Sequence, residues 1–156
     1  MAHVALRLAQ AADGELIAAL IAEHTAHEGA TALGRPEDYA RGLAEGAYEC
    51  LVAERRGTAL GLAMFYPTFS SWSGQRGLFL EDLYVREAAR GLGVGRLLLA
   101  ELARIAGARG ATRIDLVVQG DNRARGFYTR LGLRELPGWH LWRAGEAALA
   151  ALADQR

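Results

Sequence analysis

The sequence predicts an α/β fold on a mixed sheet, with element order β-α-α-β-β-β-α-β-α-β. Three features carry that prediction. A weakly alternating apolar stretch is broken by Arg56-Gly57-Thr58, which reads as two strands joined in a hairpin. The apolar run 78–85 leads into Arg90-Gly91-Leu92-Gly93-Val94-Gly95 and then into an apolar helix, so strand, turn and helix N-terminus follow one another. Hairpin-linked strands come first and helix-linked strands after, which mixes antiparallel with parallel pairing.

Residues 3–8 read as a short first strand. Residues 13–27 read as a helix: Asp13 can cap it, and Leu16, Ile17, Leu20 and Ile21 share one face. After a loop at 29–35, Pro36 with Glu37 and Asp38 opens a second short helix through residue 45. Strands follow at 48–55 and 59–66. Residues 67–77 are polar and Ser-rich and read as a loop, whose Phe69 and Trp72 suggest a working surface. The clearest strand is 78–85 and the clearest helix 94–107, with Val94, Leu98, Leu102 and Ile105 on one face. A strand at 113–118 precedes a helix that Asp121 or Asn122 caps, that holds Phe127, Tyr128 and Leu131, and that Gly132 ends. A last strand at 139–143 completes the order, and residues 147–153 read as a further terminal helix.

At 156 residues the chain is read as one domain, 1–156, large enough to bury its own core. The 18 basic residues balance the 18 acidic ones, so no basic excess advertises a nucleic-acid or anionic-membrane partner. One cysteine, Cys50, excludes an internal disulfide framework and a multi-cysteine metal site; it reads as a small buried apolar filler. Residues 1–8 lack the apolar core of a signal peptide, and no apolar stretch has the roughly 18–20 residues of a membrane span, so a cytoplasmic protein is expected. His24 and His27, at i and i+3 on a helix, are a possible metal pair. No third ligand is evident, and they are read, with His140, as surface histidines with no metal.

A glycine turn at a helix N-terminus presents free backbone N–H groups and the positive end of the helix dipole, which suits a pyrophosphate. Its register excludes two of the usual carriers. A P-loop needs Lys and Ser/Thr after its last glycine, and here Arg96 and Leu97 follow Gly95. A dinucleotide fingerprint from Gly91 fails at its third position, Arg96. The remaining pattern, Arg/Gln-x-x-Gly-x-Gly/Ala, is met by Arg90, Gly93 and Gly95. It resembles the acetyl-CoA loop of the GNAT N-acetyltransferase superfamily. A glycine-rich connection without a ligand is the plain alternative.

The resemblance continues through Phe69-Ser-Ser-Trp72-Ser-Gly74, Leu80-Glu81-Asp82-Leu83-Tyr84-Val85, Asp121-Asn122, Phe127-Tyr128 and Gly138-Trp139. Together these resemble the diamine (spermidine/spermine) N-acetyltransferase branch, over nearly the whole chain. The resemblance implies a mixed, mostly antiparallel sheet flanked by helices. It implies acetyl-CoA as cosubstrate and an amine acceptor that is a polyamine or a lysine-like amino acid. It further implies direct attack in a ternary complex and a homodimer. By the same resemblance Arg90, Gly91, Leu92, Gly93, Val94, Gly95 and Arg96 hold the CoA pyrophosphate. Leu83 and Val85 pair with pantetheine, and Asn122, Phe127 and Tyr128 complete the CoA side. One departure stands out: Ser70-Ser71-Trp72 occupies the place where polyamine-acting members tend to carry Asp before Pro-Trp. Residual acidity then comes from Glu28, Glu81 and Asp82.

Acetyl transfer to an amine requires loss of an amine proton, donors for the developing oxyanion, and an acid for the departing thiolate. Glu81 is assigned the first task, through an ordered water or by holding the cation until it deprotonates. Asp82 is assigned to amine charge, the Val85 N–H to the oxyanion and Tyr128 to the thiolate. Strand alternation puts Glu81 and Asp82 on opposite faces unless a bulge re-aims one of them; the family pattern leads one to expect that bulge. Two solvent-facing carboxylates and a core tyrosine are the plain alternatives. Trp72 and Trp139 are candidate walls of an acceptor pocket, their faces suiting an alkylammonium. Acetylation of a protein N-terminus or lysine, and a non-catalytic acyl-CoA-binding module, are the competing functions; Glu81 and Tyr128 argue against the last.

Overall fold

The structure is a computed structural model that describes residues 3–155. The reading of residues 1–8 as free of a signal peptide thus falls in part on Met1 and Ala2, outside the described residues; Arg156 of the expected 1–156 domain also lies outside them. The chain divides into two compact units, Met1–Gln119 and Gly120–Arg156.

The first unit carries β1 (Ala5–Leu8), α1 (Gly14–His27), α2 (Pro36–Ala44), β2 (Glu49–Arg55), β3 (Thr58–Ser70), β4 (Gln75–Val85), α3 (Val94–Ala108) and β5 (Ala111–Leu116). The strands form one sheet in sequence order, antiparallel from β1 to β4 and parallel between β4 and β5. The mixed, mostly antiparallel sheet is as the sequence predicts. Alternation on the strands decides the layers. Cys50, Val52, Leu62, Met64 and Tyr84 form one core with Ile17, Leu20 and Ile21 of α1, and Tyr39 of α2 packs against it. The alternate residues Leu51, Ala63, Phe65 and Leu80 are buried on the opposite face, where α3 brings Val94, Leu98 and Leu102. Cys50 is buried filler as expected, and burial pushes its thiol up to about 12.

Two local expectations fail for identifiable reasons. Residues 67–77 are not a loop: β3 and β4 stay paired from Tyr66↔Phe79 to Ser70↔Gln75, and only the turn at 71–74 is left. Pro67 is tolerated because β2 reaches only to Phe65 (Glu49↔Phe65), so beyond that point β3 is an edge strand on one side and the missing N–H breaks no ladder. Ser70 is buried, and its Oγ accepts the Ser73 N–H at 3.4 Å within the turn. Asp13, read as the cap of α1, makes no side-chain cap there. Its carboxylate takes a bidentate pair from Arg7 at 2.8 Å and the Gln10 N–H at 2.7 Å. A charge-assisted pair outcompetes neutral amides, and the Arg7 hydrogen bonds hold this carboxyl below its usual range.

The second unit carries α4 (Ala124–Arg130) and α5 (Glu146–Ala153). Asn122 Oδ1 accepts the Ala124 N–H at 2.8 Å, the expected capping role. Gly132, at φ +88°, turns the chain out of α4, and the Leu133 N–H donates to the Tyr128 carbonyl at 3.1 Å. The strand read at 139–143 does not form, so the observed order ends in two helices among the described residues. A strand needs a ladder partner for its backbone groups, and this unit has no strand among its described residues.

Candidate active site

In the first unit the site grows out of β4. Met64 pairs with Asp82, but the next residue, Phe65, pairs with Leu80, so Glu81 is the extra residue of a β-bulge. The bulge cancels the alternation between the two carboxylates. Asp82 lies opposite Met64, and Tyr84 opposite Leu62, on the face covered by α1. Glu81 accepts the Tyr66 hydroxyl at 3.1 Å, and Tyr66 lies two residues on from Met64, on that same face. Both acids therefore serve one side of the sheet. Tyr66 stacks on Phe79 with ring centroids 5.3 Å apart, which fixes the phenol that meets Glu81. Burial, then the bond and charge of Glu81, push that phenol up.

Beyond the bulge β4 loses its second neighbour. Its pairing with β5 ends at Leu80↔Leu116, so residues 81–85 pair with β3 alone. The Arg86 N–H points to β3, donating to the Leu60 carbonyl at 2.8 Å. Antiparallel alternation then turns the backbone groups of Leu83 and Val85 the other way, toward the side β5 has left. The Val85 carbonyl confirms that direction by accepting Arg90 Nε at 3.1 Å.

The glycine turn follows directly. Gly91 and Gly93 have φ of +77° and +79°, and Gly93 is the left-handed cap of α3. A Cβ at either would meet nothing within 4 Å, so conformation alone demands glycine there. The first-turn amides of α3 lack intrahelical acceptors by helix geometry, the turn carries no acid, and Arg96 lies in it. Leu92 is exposed while Val94 is buried as the anchor of the helix. The whole arrangement suits an anion.

α1 supplies three further groups. His24 Nε2 stands 3.3 Å from Asp82 Oδ1, and its ring lies 5.3 Å from that of Tyr84. Glu23 takes Arg86 at 2.7–3.2 Å and the Tyr84 hydroxyl at 3.4 Å. Glu28 is the C-cap residue of α1. The reading of His24 as a surface histidine is corrected: its side chain is 21% exposed and faces the sheet. The signal was in the sequence, since His24 is four residues after Leu20 and three after Ile21, on the core face of α1. Tyr66 and Tyr39 are also additions; burial, then the charge of Asp82, raise the Tyr39 phenol.

Trp72 lies at the tip of the β3–β4 hairpin. It is 87% exposed in the hairpin turn, beyond the Ser70↔Gln75 pair. That pair is about 17 Å along the hairpin from Phe65↔Leu80 at 3.3–3.4 Å per residue. In the second unit Asn122 caps α4, Phe127 and Tyr128 meet edge to face with centroids 5.2 Å apart, and Trp139 is exposed.

Residues 13–133 match the acetyltransferase (GNAT) family. The thialysine N-epsilon-acetyltransferase of Bos taurus is 33% identical over 120 residues, 69% of this chain and 70% of that protein. The spermidine/spermine N(1)-acetyltransferase-like protein 1 of Homo sapiens is 35% identical over 117 residues, 68% of this chain and 17% of that protein. The fold matches that of an integron cassette protein from the mobile metagenome of V. cholerae with a TM-score of 0.81, at 22% identity over 97% of this chain and 98% of that one. The chain thus belongs to the GNAT family of acetyltransferases, and it is an acetyl-CoA-dependent N-acetyltransferase.

Proposed function

We propose that the acceptor is the primary amine of a small cationic molecule, a diamine, polyamine or lysine-like amino acid, acetylated by direct attack in a ternary complex. The observation that carries this reading is the bulge that turns Glu81 and Asp82 to one face. Two adjacent carboxylates facing one way suit an ammonium. The names of the relatives, a thialysine acetyltransferase and a spermidine/spermine acetyltransferase-like protein, point to the same class.

The residues divide the work as follows. Glu81 takes the amine proton, directly or through a water, and Asp82 holds amine charge. The backbone of Leu83 and Val85, directed to the open side of β4, pairs with the pantetheine arm as an added strand would. The Val85 N–H donates to the carbonyl oxygen as it gains charge. The backbone from Arg90 to Arg96 holds the pyrophosphate, which its two left-handed glycines and acid-free helix start suit. Asn122, Phe127 and Tyr128 are assigned to the CoA side, with Tyr128 protonating the leaving thiolate. Glu28, Trp72 and Trp139 are assigned to the acceptor. The cosubstrate supplies the acetyl group as a thioester. The working form is a homodimer, which light scattering in solution tests.

The deciding experiment incubates the protein with acetyl-CoA and a panel of putrescine, spermidine, thialysine, lysine and lysine-containing peptides, following thiol release. Turnover of the small amines over the peptides is expected. Turnover of peptides alone would favour a protein acetyltransferase, and CoA binding without any turnover a binding module. The pyrophosphate assignment has its own test. Gly93→Ala forces a Cβ into the left-handed region at a cost of about 1–2 kcal/mol. The KM for acetyl-CoA is expected to rise about tenfold as the turn shifts, with the KM for the amine much less affected.

A further inference from the structure

We propose that His24 governs how tightly this enzyme holds its cationic acceptor, by competing with the acceptor ammonium for Asp82. The inference rests on the acceptor reading above and deepens it. His24 Nε2 lies 3.3 Å from Asp82 Oδ1, with side-chain exposures of 21% and 28%. The imidazole is held in place. Its ring packs on Tyr84, the Tyr84 hydroxyl donates to Glu23, and Glu23 is locked by Arg86, whose Nη1 also donates to the Ala59 carbonyl at 2.9 Å. The permanent cation of this cluster is thereby spent on Glu23. The group that the structure puts on Asp82 is an imidazole.

Charged and titratable groups approach His24 from several elements, Glu81 beside Asp82 on β4 among them, and the charge of Arg90 reaches Tyr84. α1 contributes Glu23, His27 and Glu28; β4 contributes Asp82, Tyr84 and Arg86; α2 contributes Tyr39, whose phenol feels Asp82. β2 contributes the buried thiol of Cys50, and β3 the apolar Leu62 and Met64. Asp13, in the turn before α1, is committed to Arg7. Glu23 is neutralised by Arg86, so Asp82 is the acid that meets the imidazole directly.

A neutral imidazole can donate an N–H to Asp82 and leave its negative charge for an incoming ammonium. An imidazolium cancels that charge. Imidazole is the side chain that changes charge between about pH 5 and 8. Two cations competing for one carboxylate are linked reciprocally: acid weakens acceptor binding, and the acceptor drives the proton off His24.

The test uses the full-length enzyme with thialysine and saturating acetyl-CoA from pH 5 to 9. Because the acceptor binds as an ammonium, the wild type is expected to lose kcat/KM for thialysine along one steep acid limb, which appears in the KM for thialysine and not in that for acetyl-CoA. His24→Gln should flatten that limb and exceed the wild type by about tenfold at the acid end, the value of one charge-assisted contact. On the wild type, NMR of the His24 imidazole without acetyl donor provides an independent reading. Thialysine should lower the pH at which His24 protonates, and Asp82→Asn should abolish that shift. Turnover of thialysine with the steep acid limb intact in His24→Gln, or with a His24 titration that thialysine does not move, overturns the inference. No turnover of thialysine, putrescine or spermidine, and no effect of any of them on His24, overturns the acceptor reading itself.

Discussion

Glu81→Gln is expected to lower kcat/KM for the amine about 100-fold, within the range that removal of a general base produces. The substitution keeps the shape and removes both the charge and the basicity. Two roles are then separable by pH. A primary alkylamine titrates near 10, well above a carboxylate, so near neutrality nearly all acceptor arrives as ammonium. If Glu81 moves that proton, the deficit of the variant shrinks as the pH approaches 10, where the amine arrives deprotonated. If it only holds the cation, the loss lies in the KM for the amine. A loss smaller than about threefold would remove Glu81 from the chemistry. The Tyr66 phenol serves as an internal control. Burial, the bond to Glu81 and the charge of Glu81 all raise it; removing the charge should bring its ultraviolet titration down toward the ordinary value while the fold persists.

That prediction depends on a feature only partly legible in the sequence. The Leu80-Glu81-Asp82 run marks a strand with two acids inside it, and that much follows from composition. Which way each acid points does not, because a single unpaired residue reverses the parity of everything beyond it. The register shift at Met64/Phe65 is a property of two strands together, set where β3 stops sharing its outer side with β2 and β4 stops sharing its own with β5. The loop expected at 67–77 shows the same limit. Proline and serine are loop formers on average, yet here they lie in an edge segment whose unpaired side tolerates them.

Helices were far more legible. The apolar face of α3 and the Pro36 start of α2 are encoded within one element, so local periodicity suffices. His24 shows how a legible signal is missed. Its place on the Leu20–Ile21 face of α1 was available from spacing alone, while residue type argued for the surface. Spacing prevailed because Asp82 offers the imidazole a polar partner at the rim of an apolar core. At 139–143 residue type misleads in the opposite sense: β-forming residues without a strand beside them in their own unit stay irregular.

Tyr128→Phe is expected to lower kcat about 100-fold, again in the range of a lost acid–base group, while the KM for acetyl-CoA changes little. The two side chains differ by one hydroxyl, so the edge-to-face contact with Phe127 and the end of α4, where the Tyr128 carbonyl accepts the Leu131 and Leu133 amides, are preserved. What is lost is a proton donor. A phenol near 10 and a thiol near 8.5 are close enough to share a proton as the thiolate departs. A donor thioester with a more acidic thiol needs that help less. The deficit of Tyr128→Phe should therefore shrink when acetyl-CoA is replaced by an acetyl thioester whose leaving thiol has a lower pKa, provided that analogue still binds. A core role for the tyrosine predicts a lowered melting temperature with no dependence on the leaving group. The two assignments thus differ in the slope of rate against thiol acidity, whatever the absolute activity of the variant, and an unchanged slope would remove Tyr128 from the proton transfer.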